Sequence, residues 1–266
     1  MAFHYRRNRV ALSVIPPVKH NLRWNIVRPN NVRKLSHTAI SRMLKKKFVG
    51  STMIKQVSFF QRRKDLSPED FREHWRTKHA DVVRRLNGLV RYVQNHALDS
   101  SSGFDGIAEV WFEDMESMRA NVDTPELESI RKDEENFIDS STMGTILTNE
   151  YIIKETGPVI LDQKLMALVN RLDRNDAATF HSIYRDQLGP LVAALPGINR
   201  YVQAHTRPGI YKTNRLPPYD AVASLWFAEI DALVTPEMQD VREVERTILD
   251  LDRTRIGVVE EIEIAL

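Results

Sequence analysis

The chain repeats itself. Phe71 to His96, FREHWRTKHADVVRRLNGLVRYVQNH, aligns without a gap on Phe180 to His205, FHSIYRDQLGPLVAALPGINRYVQAH, and both stretches end in RYVQ, one variable residue and His. The match resumes downstream as DGIAEVWF (Asp105 to Phe112) and DAVASLWF (Asp220 to Phe227), after a longer connection in the second copy. A period of about 110 residues is too long for a solenoid repeat and suits two copies of one domain. At 266 residues the chain has room for two modules that each bury a core.

The order of elements within one copy narrows the fold. Ile54 to Phe60 (IKQVSFF) is short, β-branched and aromatic, and reads as a strand. Ser67, Pro68 and Asp70 then form a helix start, Phe71, Trp75, Val82, Val83 and Leu86 supply its apolar face, and Asn87-Gly88 end it. Val90 to His96 and Gly106 to Phe112 read as strands. Glu113 to Ser140 is expected to be mainly helical with a break near Pro125, and Ile146 to Ile153 to be the fourth strand. The second copy repeats this with strands at Leu165 to Arg171, Ile198 to His205, Ala221 to Phe227 and Val258 to Ile264, and helices near Asp176 to Leu195 and Pro236 to Asp252.

The sequence therefore predicts an α+β fold: two ferredoxin-like modules, each β-α-β-β-α-β, at 53–155 and 164–266. A four-stranded sheet with both helices on one face leaves the other face bare, and that face must be covered. The tether from Glu155 to Gln163 keeps the sister copy at high effective concentration, so the modules are expected to pair with each other in an intramolecular α+β barrel. Further homo-oligomerisation stays open.

Residues 1–52 belong to neither copy. They hold 12 of the 38 Lys and Arg and no Asp or Glu, which leaves 26 basic against 36 acidic residues in the remainder, a net of −10. An acidic body argues against a nucleic-acid partner, because phosphate contacts need basic surface. The extension is expected to be disordered, with translation starting at Met53 as the favoured reading, an organellar presequence next and a basic tail last. No apolar run approaches the roughly 20 residues that a membrane helix needs. The folded part is read as cytoplasmic. The absence of cysteine removes disulfides, thiolate nucleophiles and cysteine-held metal clusters.

Several side chains carry chemistry. His79 lies eight residues after Phe71 and four after Trp75, on the helix stripe that faces the sheet, where the second copy has Leu188. A buried imidazole has a solvation cost that leucine avoids, so a role in proton transfer is favoured over a core histidine bonded to a carbonyl. Tyr92, Gln94 and His96 share one strand face, as do Tyr201, Gln203 and His205. Either Tyr92 donates to a substrate carbonyl while His79 moves the proton and His96 binds or orients, or the trio is structural, as a buried hydrogen-bond network or the lining of the joint between the copies. The residues alone leave these two readings equal. Glu109 is a candidate partner for His79 and otherwise faces solvent or pairs with Arg. Trp75, Gln94, Glu109 and Trp111 complete the candidate substrate-binding set, with the tryptophans as pocket wall or core.

His74 and His79 are five residues apart, and α-helical spacing would turn two metal-binding histidines to one side only at four. No metal is expected there. Nor does the chain contain G-x-G-x-x-G, Walker A, G-x-S-x-G or H-E-x-x-H, so no cofactor is called for.

Tryptophan, three residues and HADVV, followed by RYVQNH and FDGIAEVWFED, resemble the EthD family within the dimeric α+β barrel group, over about Met53 to Leu266 in two copies. The second copy departs from the pattern at Leu188. The resemblance implies proteins similar to 4-methylmuconolactone methylisomerase, to decarboxylase- and dehydratase-like enzymes of aromatic polyketide pathways, and to proteins of ether-fuel degradation. It points to acid-base chemistry on a small aromatic-derived or lactone-like substrate, with one working site in copy one. The rivals are a non-catalytic ligand-binding or accessory protein and an oxidoreductase-associated protein. Heme enters only by analogy with dye-decolorising peroxidases of related fold.

Overall fold

The computed structural model describes residues 53–157, 163–213, 216–228 and 235–266. The readings made for residues 1–52, and for most of the tether, lie outside the described residues. Module one runs β1 (Ile54–Arg62), α1 (68–83), β2 (Leu89–Ala97), β3 (Gly106–Phe112), α2 (Met115–Arg119), α3 (Pro125–Glu134) and β4 (Ile138–Glu155). Module two runs β5 (Gln163–Val169), α4 (177–194), β6 (Ile198–Thr206), β7 (Ala221–Phe227), α5 (Met238–Ile248) and β8 (Arg255–Ile264).

The eight strands close into one antiparallel barrel in the order β1-β3-β2-β8-β5-β7-β6-β4. Each module supplies a four-stranded arc with the split-βαβ order. The arcs join where the second strand of one module meets the fourth of the other: β2 pairs β8 from Tyr92↔Ile264 to Ala97↔Val259, and β4 pairs β6 from Thr148↔Thr206 to Glu155↔Arg200. Intramolecular closure satisfies the backbone groups that either sheet alone would leave at its edges.

Two details differ from the sequence reading. The expected helix over 113–140 splits into α2 and α3, and Phe137 and Ile138 fall outside both. β4 starts eight residues earlier than expected, at Ile138. Its Thr- and Ile-rich run pairs first with β1, from Arg62↔Ile138 to Lys55↔Thr148, and then continues along β6. Two successive pairing partners account for its length. In addition, α1 and α4 are not regular: each widens into one π-turn, at Trp75–His79 and Tyr184–Leu188.

The apolar side chains sort into three layers. Phe60, Phe71, Trp75, Val83, Ile130 and Phe137 fill the space between module one's helices and sheet, and Phe180, Tyr184, Leu188, Val192 and Val241 do so in module two. The third layer, including Val57, Phe59, Ile107, Met166, Leu168 and Val222, lies inside the barrel. Each fully buried large side chain contributes about 1.5–3 kcal/mol. Gly88 and Gly197 end α1 and α4 at φ +67° and +79°, a conformation that glycine adopts without strain.

Candidate active site

α1 opens on Ser67, whose Oγ accepts a hydrogen bond from the Asp70 amide at 3.0 Å, with Pro68 in the first turn. After His74 the π-turn inserts its extra residue, and positions five apart come into line. His74 Nε2 lies 3.0 Å from Oδ1 of Asp133 on α3, and His79 Nδ1 lies 2.8 Å from Oδ2. The sequence reading that a five-residue spacing keeps these imidazoles apart assumed α-helical periodicity. The widened turn makes five the spacing that brings both rings to one carboxylate.

Protonation follows from this geometry. Burial pushes the Asp133 carboxyl up, but hydrogen bonds from His79 and His74 outweigh it and hold its pKa below the ordinary value. An ionised carboxylate can only accept, so His79 donates through Nδ1–H and keeps the lone pair on Nε2. Burial lowers the His79 pKa more than Asp133 raises it, so the ring is neutral at pH 7. His79 is 5% exposed, with the Phe137 ring centroid 4.8 Å from its own.

Tyr92, Gln94 and His96 face α1 from β2 and form one hydrogen-bonded chain. Gln94 Nε2 donates to the Trp75 carbonyl at 2.8 Å and to Tyr92 Oη at 3.0 Å, and Trp75 Nε1 donates to the same Oη at 2.9 Å. His96 Nε2 donates to Gln94 Oε1 at 3.0 Å. The carbonyl taken by Gln94 stands at the start of the π-turn, where the widened helix lets a side chain from the sheet reach the backbone. His96 is 1% exposed, and its Nδ1 has no partner among the described residues. Burial, with Arg72 and Arg76 adding to it, pushes its pKa down to about 3. Burial also raises the Tyr92 hydroxyl. Among the described residues no hydrogen bond joins His79 to this chain; the aromatic layer of Phe71, Trp75 and Phe137 packs against both.

Module two keeps the chain and lacks the pair. Gln203 Nε2 donates to the Tyr184 carbonyl at 2.9 Å and to Tyr201 Oη at 2.7 Å, and His205 Nε2 donates to Gln203 Oε1 at 2.9 Å. At the place of His79 stands Leu188. Matching Pro125-Glu126-Leu127 to Pro236-Glu237-Met238 puts Val244 at the place of Asp133. Leu188 belongs to module two's apolar cluster, and Val244 packs against it. An imidazole–carboxylate pair and a hydrocarbon pair thus replace one another as units. The next position is kept: Glu134 and Glu245 are each pushed up to about 7, chiefly by burial.

The model of the EthD domain matches the chain twice, over residues 63–141 and 173–245. The chain belongs to the EthD family. An anthrone oxidase-like protein of solved structure is 11% identical, with 82% of this chain and 95% of that one covered at a TM-score of 0.58. A mutant chlorite dismutase from Candidatus Nitrospira defluvii is 9% identical, with coverage of 81% and 95% and a TM-score of 0.51. Both likenesses concern the fold alone. An EthD family protein from Bacillus halodurans C-125 is 24% identical over 37% of this chain and 99% of its own, with a TM-score of 0.33. No curated protein matches the chain.

Within the EthD modules, Glu109 and Trp111 lie apart from His79. They alternate with Ala108 and Val110, which face the helices, so the period of two sends them into the barrel interior. Glu109 therefore pairs with lysine rather than with His79: Lys55 Nζ lies 2.6 Å from Oε1 and Lys164 Nζ 2.9 Å from Oε2. Lys55 and Arg91 cover the Trp111 ring, as Lys164 and Arg200 cover Trp226, at 4.6 to 4.7 Å from the centroids. The space left among these groups is about 10 Å³, room for roughly one water.

Sequence reasoning missed Asp133, Lys55 and Lys164. The lysines had a signal, since they occupy one aligned position in IKQVSFF and QKLMALV. Asp133 had a fainter one: a carboxylate in copy one and Val244 in copy two, changing together with His79 and Leu188.

Proposed function

We propose that module one of this EthD protein is a cofactor-independent enzyme that acts by proton transfer, with His79 as its base and Asp133 as the residue that orients the base. The reading rests on one observation: His79 and Asp133 in module one stand where module two has Leu188 and Val244. The fold manages with hydrocarbon at both places, so the ionisable pair serves something other than packing. A neutral imidazole with its Nδ1–H held by a carboxylate has the arrangement of a general base, with the Nε2 lone pair left to take a proton.

The substrate class is the one that EthD membership suggests, a small aromatic-derived or lactone-like carbonyl compound. His79 Nε2 takes a proton from the carbon beside the carbonyl. Return of that proton at another atom gives isomerisation, and departure of a leaving group gives elimination. Tyr92, Gln94, His96 and Trp75 act as positioning residues through the π-turn, because module two keeps the same chain without a base. In this reading residues 53–155 carry the reaction, 164–266 complete the barrel, and the basic residues 1–52 belong to neither.

Solvent deuterium exchange tests the proposal whatever the product is. The full chain is incubated in D₂O with a panel of small lactones and aromatic carbonyl compounds, and deuterium at the carbon next to the carbonyl is followed by NMR. The double variant His79→Leu/Asp133→Val copies module two and is expected to stay folded while exchange falls by about 100-fold or more. Undiminished exchange in the folded double variant would remove the assignment. Ligands that raise Tm without ever gaining deuterium would point to a binding protein.

A further inference from the structure

Around the centre of the barrel the charged and aromatic groups of the two modules match. Lys55, Arg91, Trp111 and Glu150 of module one correspond to Lys164, Arg200, Trp226 and Glu261 of module two, and each lysine bonds its own module's glutamate at 2.5 Å. Beside these groups the correspondence fails where module one has Asn95 and Glu109 and module two has Ala204 and Ser224. Those two side chains are bonded to each other and to the opposite module. Asn95 Nδ2 donates to Glu109 Oε2 at 3.0 Å, and Lys164 Nζ donates to Asn95 Oδ1 at 2.8 Å. One carboxylate is shared by two ammonium groups, one from each module, in a space with room left for about one water.

We infer that this single central carboxylate is a pairing code: module one's barrel face accepts module two and rejects a second copy of itself. Glu109 reaches the lysine of its own module and that of the other. By the approximate twofold symmetry a carboxylate at position 224 would reach the same two lysines from the opposite side. Two module-one faces would therefore bring two carboxylates onto one pair of ammonium groups, each already engaged by its own module's Glu150. Like charges confined to one buried space repel strongly. Burial opposes the charge on Glu109 itself, but Lys164 and Lys55 outweigh it and hold the carboxylate ionised. At the corresponding positions on the opposite strands β7 and β6, module two has the smaller Ser224 and Ala204.

Substitutions within the full-length chain test the code through Tm. Ser224→Glu recreates the two-carboxylate interior and is expected to lower Tm by about 10 °C or to abolish folding. Ser224→Gln adds nearly the same volume without charge and is expected to lose less than half as much. Glu109→Ser alone lowers Tm by several degrees. Moving the polar groups across the axis, in Glu109→Ser/Asn95→Ala/Ser224→Glu/Ala204→Asn, restores Tm to within about 3 °C of the parent. Equal losses for Ser224→Glu and Ser224→Gln would overturn the charge argument. A four-site variant no more stable than Glu109→Ser would overturn the symmetry argument.

Discussion

Module one and module two share a backbone, a π-turn in the first helix and a buried hydrogen-bonded chain from histidine through glutamine to tyrosine, yet only module one places an ionisable pair above that chain. In the function proposed above, what both copies keep holds the helix against the sheet, and what one copy has exchanged for hydrocarbon serves chemistry. The comparison separates Gln94 from His79, although both are polar and both are buried. It also sets Glu134 and Glu245, common to the two modules, apart from Asp133.

The largest effect that would sharpen this contrast is on pH dependence. Burial pushes His96 and His205 each down to about 3 from 6.5. Below pH 6.5 the unfolded chain binds protons that the folded chain does not, so each ring costs about 1.4 kcal/mol of stability per pH unit of acidification, down to about pH 3. Glu134 and Glu245 have the opposite sign: folded values of about 7 against 4.5 mean that stability is gained as pH falls from 7 to 4.5. The two pairs offset between pH 6.5 and 4.5; below that the histidines lose stability together with Glu109 and Asp133, whose folded values also lie below the ordinary ones. Urea unfolding across this range is expected to give a near-plateau followed by a steep loss. His96→Asn/His205→Asn removes the histidine share of the loss and makes it shallower, with each single variant removing half of that share. Unequal halves would break the claim that the two chains are equivalent.

Next in size is the capped π-turn. Gln94→Leu and Gln203→Leu each leave a backbone carbonyl and a tyrosine hydroxyl short of a donor, at a cost of about 2–3 kcal/mol. Equal values in the two modules, read from chemical denaturation, fit a shared structural role. A much smaller cost for Gln203→Leu would show that the two turns are held differently.

The smallest effect is the most specific. Asp133→Val strands two imidazole donors and is expected to cost about 1–2 kcal/mol, and His79→Leu about 1 kcal/mol because His74 still bonds Asp133. The double variant leaves only the half-buried His74 without its partner and is expected to lie within about 1 kcal/mol of the parent, which gives a coupling energy of at least about 1 kcal/mol in a double-mutant cycle. Simple additivity would mean that Leu188 and Val244 are unrelated to the pair they align with.

The repeat and the strand pattern made the fold legible, because alternation of apolar residues survives in any sheet with one buried face. The inward stripe of α1 was legible for the same reason. Residues joined through the π-turn were not, since a single inserted residue shifts every later position and leaves no mark in composition. For Glu109 the sequence offers His79, a substrate, solvent or arginine as partners, because a lone sequence does not reveal that Lys164, in the other module, reaches it. Asp133 was hidden among the charges of α3, where most acidic residues face water.

Closure of the strands has a consequence for how the molecule comes apart. Separating either β2 from β8 or β4 from β6 would leave open hydrogen-bonding ladders on both halves at once, so a species with one half native and the other melted has little to gain. Calorimetry should record one heat-absorption peak rather than two, and backbone amides in β2 and β6 should exchange with solvent at a common rate. Duplication within one chain has in this way turned an association equilibrium into a property of intramolecular cooperativity, independent of protein concentration.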